Sequence, residues 1–192
     1  LVPVPVGNVG VQMGGWFRKE INSLEDLKGL KFRIGGMGGI VFSKLGVVPQ
    51  QIGAADIYTA LERGSIDAAE WIGPYDDEKL GFFKVAKFYY TPGWWEGSAQ
   101  ITSLVNKGAW DALPKEFKAA FEVAANEQMT MMIANYDAKN PEAIRRLVAQ
   151  GVQIRSFPRP VMEACYKASI ETFEDLSSKN PDFKALYESW SK

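Results

Sequence analysis

The chain contains no histidine. That absence removes the commonest general base, the Ser-His-Asp and Cys-His arrangements, and the usual zinc sites. There is one cysteine, Cys165, so no disulfide can close within the chain. The segment Pro160-Val-Met-Glu-Ala-Cys-Tyr-Lys-Ala168 reads as an amphipathic helix, which makes the thiol a core side chain rather than a nucleophile. No apolar run approaches the roughly 18 residues that span a bilayer. Charge of either sign is not in excess: 22 Lys and Arg stand against 23 Asp and Glu, and neither half is basic. A surface for nucleic acid or for an anionic membrane is thereby excluded. Internal repeats and low-complexity tracts are also missing. The sequence opens at Leu1 with Val-Pro-Val-Pro-Val and carries no export signal, which reads as the interior of a longer protein.

What is present is a strand-helix alternation in the first half. Ser23 reads as an N-cap with Glu25 and Asp26 in the first turn and Gly29 as the stop. Strands are predicted over 31–34, 47–52 and 66–71. Helices are predicted over 40–45 and 54–63, the second with Ile57, Ala60 and Leu61 on one face and Gly64 at its end. This order predicts an α/β lobe with a mostly parallel sheet. In the second half, 99–106 alternates as one strand. Pro114 then opens a long helix to about Lys139, which Asn140-Pro141 breaks. A helix over 141–150, a strand over 152–157, a helix to about Ser178 and a short terminal helix complete the pattern.

Few positions carry chemistry. Gln12 sits among small residues in Gly10-Val-Gln-Met-Gly-Gly-Trp-Phe17, where backbone can approach a ligand or simply turn. On the strand Lys31-Phe-Arg-Ile34, Phe32 and Ile34 share one face, Lys31 and Arg33 the other. Arg33 at a strand end is placed to take a carboxylate through two hydrogen bonds, or to be an exposed edge-strand side chain. The loop Gly35-Gly-Met-Gly-Gly39 precedes a helix, but its spacing matches neither a P-loop nor a dinucleotide fingerprint. Glu70-Trp71 ends a strand, and Glu96 follows Trp94-Trp95. Two carboxylates beside tryptophans read either as the acid/base pair of a hydrolase with a sugar platform or as ligands for a hard cation such as Na⁺ or Ca²⁺. Asp76-Asp77-Glu78 reads as a solvated helix start.

Four segments together resemble one family. They are Gly10-Val-Gln-Met-Gly-Gly-Trp-Phe17, Leu24-Glu-Asp-Leu-Lys-Gly-Leu-Lys-Phe-Arg33, Tyr58-Thr-Ala-Leu-Glu-Arg-Gly-Ser-Ile-Asp-Ala-Ala-Glu-Trp71 and Pro92-Gly-Trp-Trp-Glu-Gly97. They resemble solute-binding proteins of tripartite ATP-independent periplasmic (TRAP) transporters, dicarboxylate-binding type, in the branch that takes 2-oxo acids or lactate. The resemblance implies a periplasmic receptor rather than an enzyme, with two α/β lobes joined by a long hinge helix and the first lobe incomplete in this sequence. It implies residues 1–97 as the ligand-binding lobe. Residues 98–140 become a strand and long helix given to the first lobe and the hinge. Residues 141–192 become a return strand and C-terminal helices that serve as a dimerisation extension. It further implies Arg33 on the substrate carboxylate, Trp71 over the small apolar end, and Gln12 beside the ligand. A bridging Na⁺ or Ca²⁺ is implied on Gln12, Glu70, the Trp71 carbonyl and Glu96. Implied partners are the transporter's membrane subunits and a second copy of the chain; no organic cofactor is implied. The competing readings are a hydrolase using Glu70 and Glu96, and a helical interaction module in which those two carboxylates would lie apart.

Overall fold

The computed structural model describes residues 1–192. The elements in chain order are β1 (Val2–Asn8), β2 (Gly15–Phe17), β3 (Lys31–Arg33), α1 (Gly36–Lys44), β4 (Val48–Gln50), α2 (Ala54–Arg63), β5 (Ala68–Ala69) and α3 (Pro74–Leu80). They continue with β6 (Phe88–Thr91), β7 (Gln100–Val105), α4 (Lys107–Ala112), α5 (Lys115–Ala149), β8 (Gln153–Ser156), α6 (Arg159–Lys179) and α7 (Pro181–Trp190).

Six strands form one sheet in the order β4-β3-β5-β2-β6-β8. Five of them run the same way, and β2 alone runs against its neighbours β5 and β6. The sheet is thus mostly parallel, as the strand-helix alternation predicts, with α1 and α2 as the crossovers between β3, β4 and β5. Neighbouring residues send their side chains to opposite faces. Phe17, Ala68 and Tyr90 join Phe32, Phe42, Phe157 and Cys165 in one apolar cluster. Their neighbours Trp16, Ala69 and Tyr89 join Ile57, Leu61, Phe82 and Leu147 in the other. Both faces are therefore covered, and Cys165 is buried.

A second, two-stranded sheet pairs β1 antiparallel with β7, Val2 opposite Val105 and Asn8 opposite Gln100. Pro3 and Pro5 are exposed while Val2, Val4 and Val6 are half-buried. Proline cannot donate to a ladder and is tolerated in such a marginal strand. The outer half of α5 lies on β1, and its inner half packs on α3.

Several local expectations differ from the structure. Helix α5 runs 35 residues through Pro141 without breaking. Contacts on both sides outweigh the lost hydrogen bond. Before the proline, Tyr136 donates to Asp76 at 2.6 Å. After it, Ala143 and Leu147 are fully buried and Arg146 grips Glu78 with 2.7 and 2.9 Å bonds. Ser23 does not cap a helix: Asp26 Oδ2 accepts from the backbone of Asn22 and Ser23, and only one turn of 3-10 helix forms over Glu25–Leu27. The glycines after Gly35 are not a loop but the first turn of α1. Asp77 is not solvated; it is 1 % exposed in the core. Strands β1, β2 and β6 are not predicted: β1 alternates Val with Pro, which argues against a strand, β2 is three residues long, and β6 is covered on both faces.

Candidate functional site

The reversed strand β2 is what assembles the site. In open α/β sheets ligands sit beyond the carboxyl ends of the strands. Arg33 closes β3, and Glu70-Trp71 follow β5. Because β2 runs the other way, Gln12, three residues before its start, arrives at that same edge. The turn after β6 brings Trp95 and Glu96 there as well. Close backbone approach makes this possible: a Cβ on Gly93 would lie 2.8 Å from the Met13 carbonyl oxygen, and the Gly93 N–H donates to the Gln12 carbonyl at 3.2 Å.

Gln12 is buried, 2 % exposed. Its Nε2 faces three oxygens: Glu70 Oε1 at 3.2 Å, the Trp71 carbonyl at 3.4 Å and Glu96 Oε2 at 3.3 Å. An amide nitrogen has two hydrogens, and all three contacts are long, the Glu70 one at the upper end of the normal N–H···O range and the other two beyond it. Its Oε1 is buried and has no partner. Two carboxylates, an amide and a carbonyl thus converge with one acceptor orphaned. Amide oxygen and nitrogen exchange places on rotation, and a hard cation would satisfy all four oxygens at once. The donor set fits Na⁺ or Ca²⁺ and offers nothing for a softer metal, since no His or thiolate is near.

Arg33 stands beside this cluster. Its Nη1 donates to the Glu70 carbonyl at 2.6 Å and to Glu70 Oε2 at 3.2 Å, and its Nε donates to the Ile52 carbonyl at 3.2 Å. Its guanidinium carbon lies 5.2 Å from the centre of the Trp71 ring. The side chain is thereby fixed on one edge while Nη2 has no protein acceptor. Burial pushes the Glu70 carboxyl up to about 7; Arg33 opposes this and the neighbouring Glu96 and Asp77 add to it. A positive ion against Glu70 would hold it as the anion.

The structure therefore gathers Gln12, Arg33, Glu70, Trp71 and Glu96 at one edge, and the helical-module reading, which needs Glu70 and Glu96 apart, fails. A supporting group escaped the sequence reading. Asp77 Oδ2 accepts from Trp16 Nε1 at 2.9 Å and Tyr89 Oη at 2.8 Å, and its Oδ1 accepts from the Ile72 N–H at 3.2 Å. It ties the Trp71-Ile72 segment to the sheet. Burial pushes its carboxyl up to about 6 against those three donors. Trp16 and Tyr89 stack at 4.0 Å beside it. No helix of the chain is long and apolar enough to cross a membrane.

Comparison with known proteins identifies a family. Residues 4–180 match the family described as bacterial extracellular solute-binding protein, family 7 (DctP). A monocarboxylate 2-oxoacid-binding periplasmic protein of Nostoc is 51% identical over 190 residues, 99% of this chain and 52% of its own length. A TRAP transporter solute-binding protein of Bordetella bronchiseptica superposes with a TM-score of 0.95 at 65% identity, over 99% of this chain and 56% of that one. It is described as a mixed-occupancy dimer with calcium and picolinate in one active site and the other apo. A TRAP periplasmic solute-binding protein of Pseudoalteromonas atlantica, with bound sodium and pyruvate, gives a TM-score of 0.91 at 42% identity, over 97% of this chain and 57% of that one. The chain spans about half the length of these relatives.

Proposed function

Because the chain belongs to family 7 of the bacterial extracellular solute-binding proteins, we propose that it is the ligand-holding part of a TRAP transporter's extracytoplasmic receptor. Its ligand is a small 2-oxo acid such as pyruvate, or lactate, held with a bridging Na⁺ or Ca²⁺. The observation that carries this is the ring of oxygens around the Gln12 amide, with its orphaned Oε1, set directly beside Arg33. Gln12, Glu70, Glu96 and the Trp71 carbonyl would hold the ion. Four protein oxygens are fewer than the roughly 6–8 that Ca²⁺ takes. A 2-oxo acid supplies two adjacent oxygens, so acid and cation complete one another. Arg33 neutralises the acid's carboxylate, and the Trp71 ring steadies the guanidinium.

The protein acts as a receptor without turnover, in the periplasm, passing its ligand to the membrane subunits. The two carboxylates share one amide and no group is placed to attack a bond, which favours holding over hydrolysis. We assign the bulk of residues 1–97 to the ligand-binding lobe, 98–140 to the first lobe and hinge, and 141–192 to the return strand and a helical extension suited to a homodimer. The dimeric Bordetella relative supports that last assignment.

Isothermal titration calorimetry tests the proposal, with pyruvate, lactate and larger 2-oxo acids, each with Na⁺, with Ca²⁺ and with chelator. Saturable heat that needs a cation is expected, with a loss of about 100-fold or more for Arg33→Ala, the order of a buried charge pair broken on one side. Absence of heat from the native protein that carries this chain, or formation of product from any acid or glycoside, would sink the reading.

A further inference from the structure

Two cavities meet at the site. One, of about 470 Å³, is lined by Arg33, Glu70, Glu96 and the glycine turn that starts α1. Its lining includes just two apolar side chains, Met37 and Trp95. The other, of about 770 Å³, is apolar and runs between α1, α6 and α7, and Met37 and Trp95 line it too. These two side chains are therefore the partition between a polar chamber and a larger apolar one.

Trp95 is firmly seated in that position. Its indole lies edge-on to Phe42 and Trp94, each at 5.3 Å, and to Phe32 at 6.1 Å. The seat depends on a missing side chain. A Cβ on Gly38 would come to 2.8 Å from both Cγ and Cδ1 of Trp95. Met37 is half-buried on the same helical turn.

We propose that Trp95, with Met37, sets the length of the ligand's carbon tail. The inference rests on the 2-oxo acid reading above. With the carboxylate on Arg33 and the two ligand oxygens on the cation, the remaining carbons meet the apolar part of the chamber wall, which is Trp95 and Met37. A methyl group is accommodated there. A branched or longer tail has to pass the indole to reach the apolar cavity behind it. Trp95 is thus a specificity-determining residue, and Gly38 positions it.

The test is calorimetry on the full native protein with Ca²⁺ present, using pyruvate, 2-oxobutanoate and 4-methyl-2-oxopentanoate. Trp95→Ala and Met37→Ala are compared with wild type, with Trp95→Phe as the conservative control and circular dichroism as the check on folding. For Trp95→Ala, the affinity for 4-methyl-2-oxopentanoate relative to pyruvate is expected to rise by about tenfold or more, the low end of what one or a few methylenes discriminate in an apolar pocket. Met37→Ala moves the ratio the same way by less, and Trp95→Phe keeps the wild-type order. A purely structural role would weaken all three acids together and leave the ratio alone. Unchanged ratios in both alanine variants overturn the proposal, as does a wild type that already favours the longer acid and loses that preference in Trp95→Ala. If Trp95→Ala does not fold, Met37→Ala decides the matter alone. A wild type that binds none of the acids fails the receptor reading itself, and this inference with it.

Discussion

The six-stranded lobe and the region formed by β1, β7, α4 and the outer half of α5 are built from similar residues but treat them differently. In the lobe, aromatic side chains interlock on both faces of the sheet: Trp16, Phe17, Phe32, Phe42, Phe82, Tyr89 and Tyr90 are all buried. In the other region Leu104 is 63 % exposed, Phe117 60 %, Val123 66 % and Met131 53 %. Ala125 is its one buried residue along the outer half of α5. A polar group can be hidden only where the packing around it is dense, and the lobe hides Gln12, Glu70 and Asp77. The lesson is that the candidate site sits where burial is deep enough to make a misplaced charge most costly.

The contrast can be broken most forcefully by truncating one aromatic in each region. Phe32→Ala is expected to cost about 3–5 kcal/mol, while Phe117→Ala stays within about 0.5 kcal/mol, read from denaturant midpoints of this chain. Equal losses would erase the distinction.

Next in size is the buried carboxylate. Asp77→Ala leaves the donors of Trp16, Tyr89 and Ile72 unpaired and is expected to cost about 2–4 kcal/mol. Asp77→Asn behaves differently with pH. The folded carboxyl titrates at about 6, above its ordinary value of 3.8. Below about pH 4 both folded and unfolded chains hold the proton. Between that point and about 6 the unfolded chain releases its proton first, so wild type loses stability as pH rises. The Asn variant cannot lose a proton, so it gains on wild type across this window and the gap is constant above it. Urea midpoints at several pH values check this; an Asn variant that loses ground to wild type as pH rises through this window contradicts it.

A smaller effect concerns the junction of the two regions. Pro141→Ala restores one helical hydrogen bond and is expected to stabilise the chain by about 1 kcal/mol. A loss of stability instead would mean that the proline's fixed backbone is needed for docking α5 on α3. Smallest is Cys165, whose thiol burial pushes up to about 12. Iodoacetamide at pH 8 should leave it unmodified in the folded chain and alkylate it on unfolding; rapid labelling of the native chain would show that α6 opens.

Much of the lobe was legible in the sequence because its α2 face repeats at helical spacing: the bounds Ala54–Arg63 match the reading. The alternation of Lys31, Phe32, Arg33 and Ile34 is likewise reproduced in burial. Residue chemistry alone singles out Gln12, Glu70 and Glu96 without joining them, and only the family resemblance puts them on one ion; their convergence depends on β2 running backwards, which no local pattern encodes. Strand β6, Phe-Tyr-Tyr-Thr, is covered on both faces and so has no alternation to read. The three acids at the start of α3 looked equivalent. Successive helical residues point about 100° apart, so Asp77 turned inward while Asp76 and Glu78 reached Tyr136 and Arg146. Proline's helix-breaking tendency is a local property, and at Pro141 it lost to contacts made 60 and more residues away in sequence.

Helix α5 has a mechanical consequence. It is one rod from Lys115 to Ala149, clamped to the lobe on both sides of Pro141, by Tyr136 on Asp76 before it and by Arg146 on Glu78 after it. With a rise of about 1.5 Å per residue, the part that extends from Tyr136 back to Lys115, carrying β1 with it, is about 32 Å long. A flexure of about 10° at Tyr136 would sweep the tip through about 6 Å. The rod bears on the start of α3, where Asn140 Oδ1 accepts from the Tyr75 N–H at 3.1 Å and lies beside Gly73, two residues after Trp71.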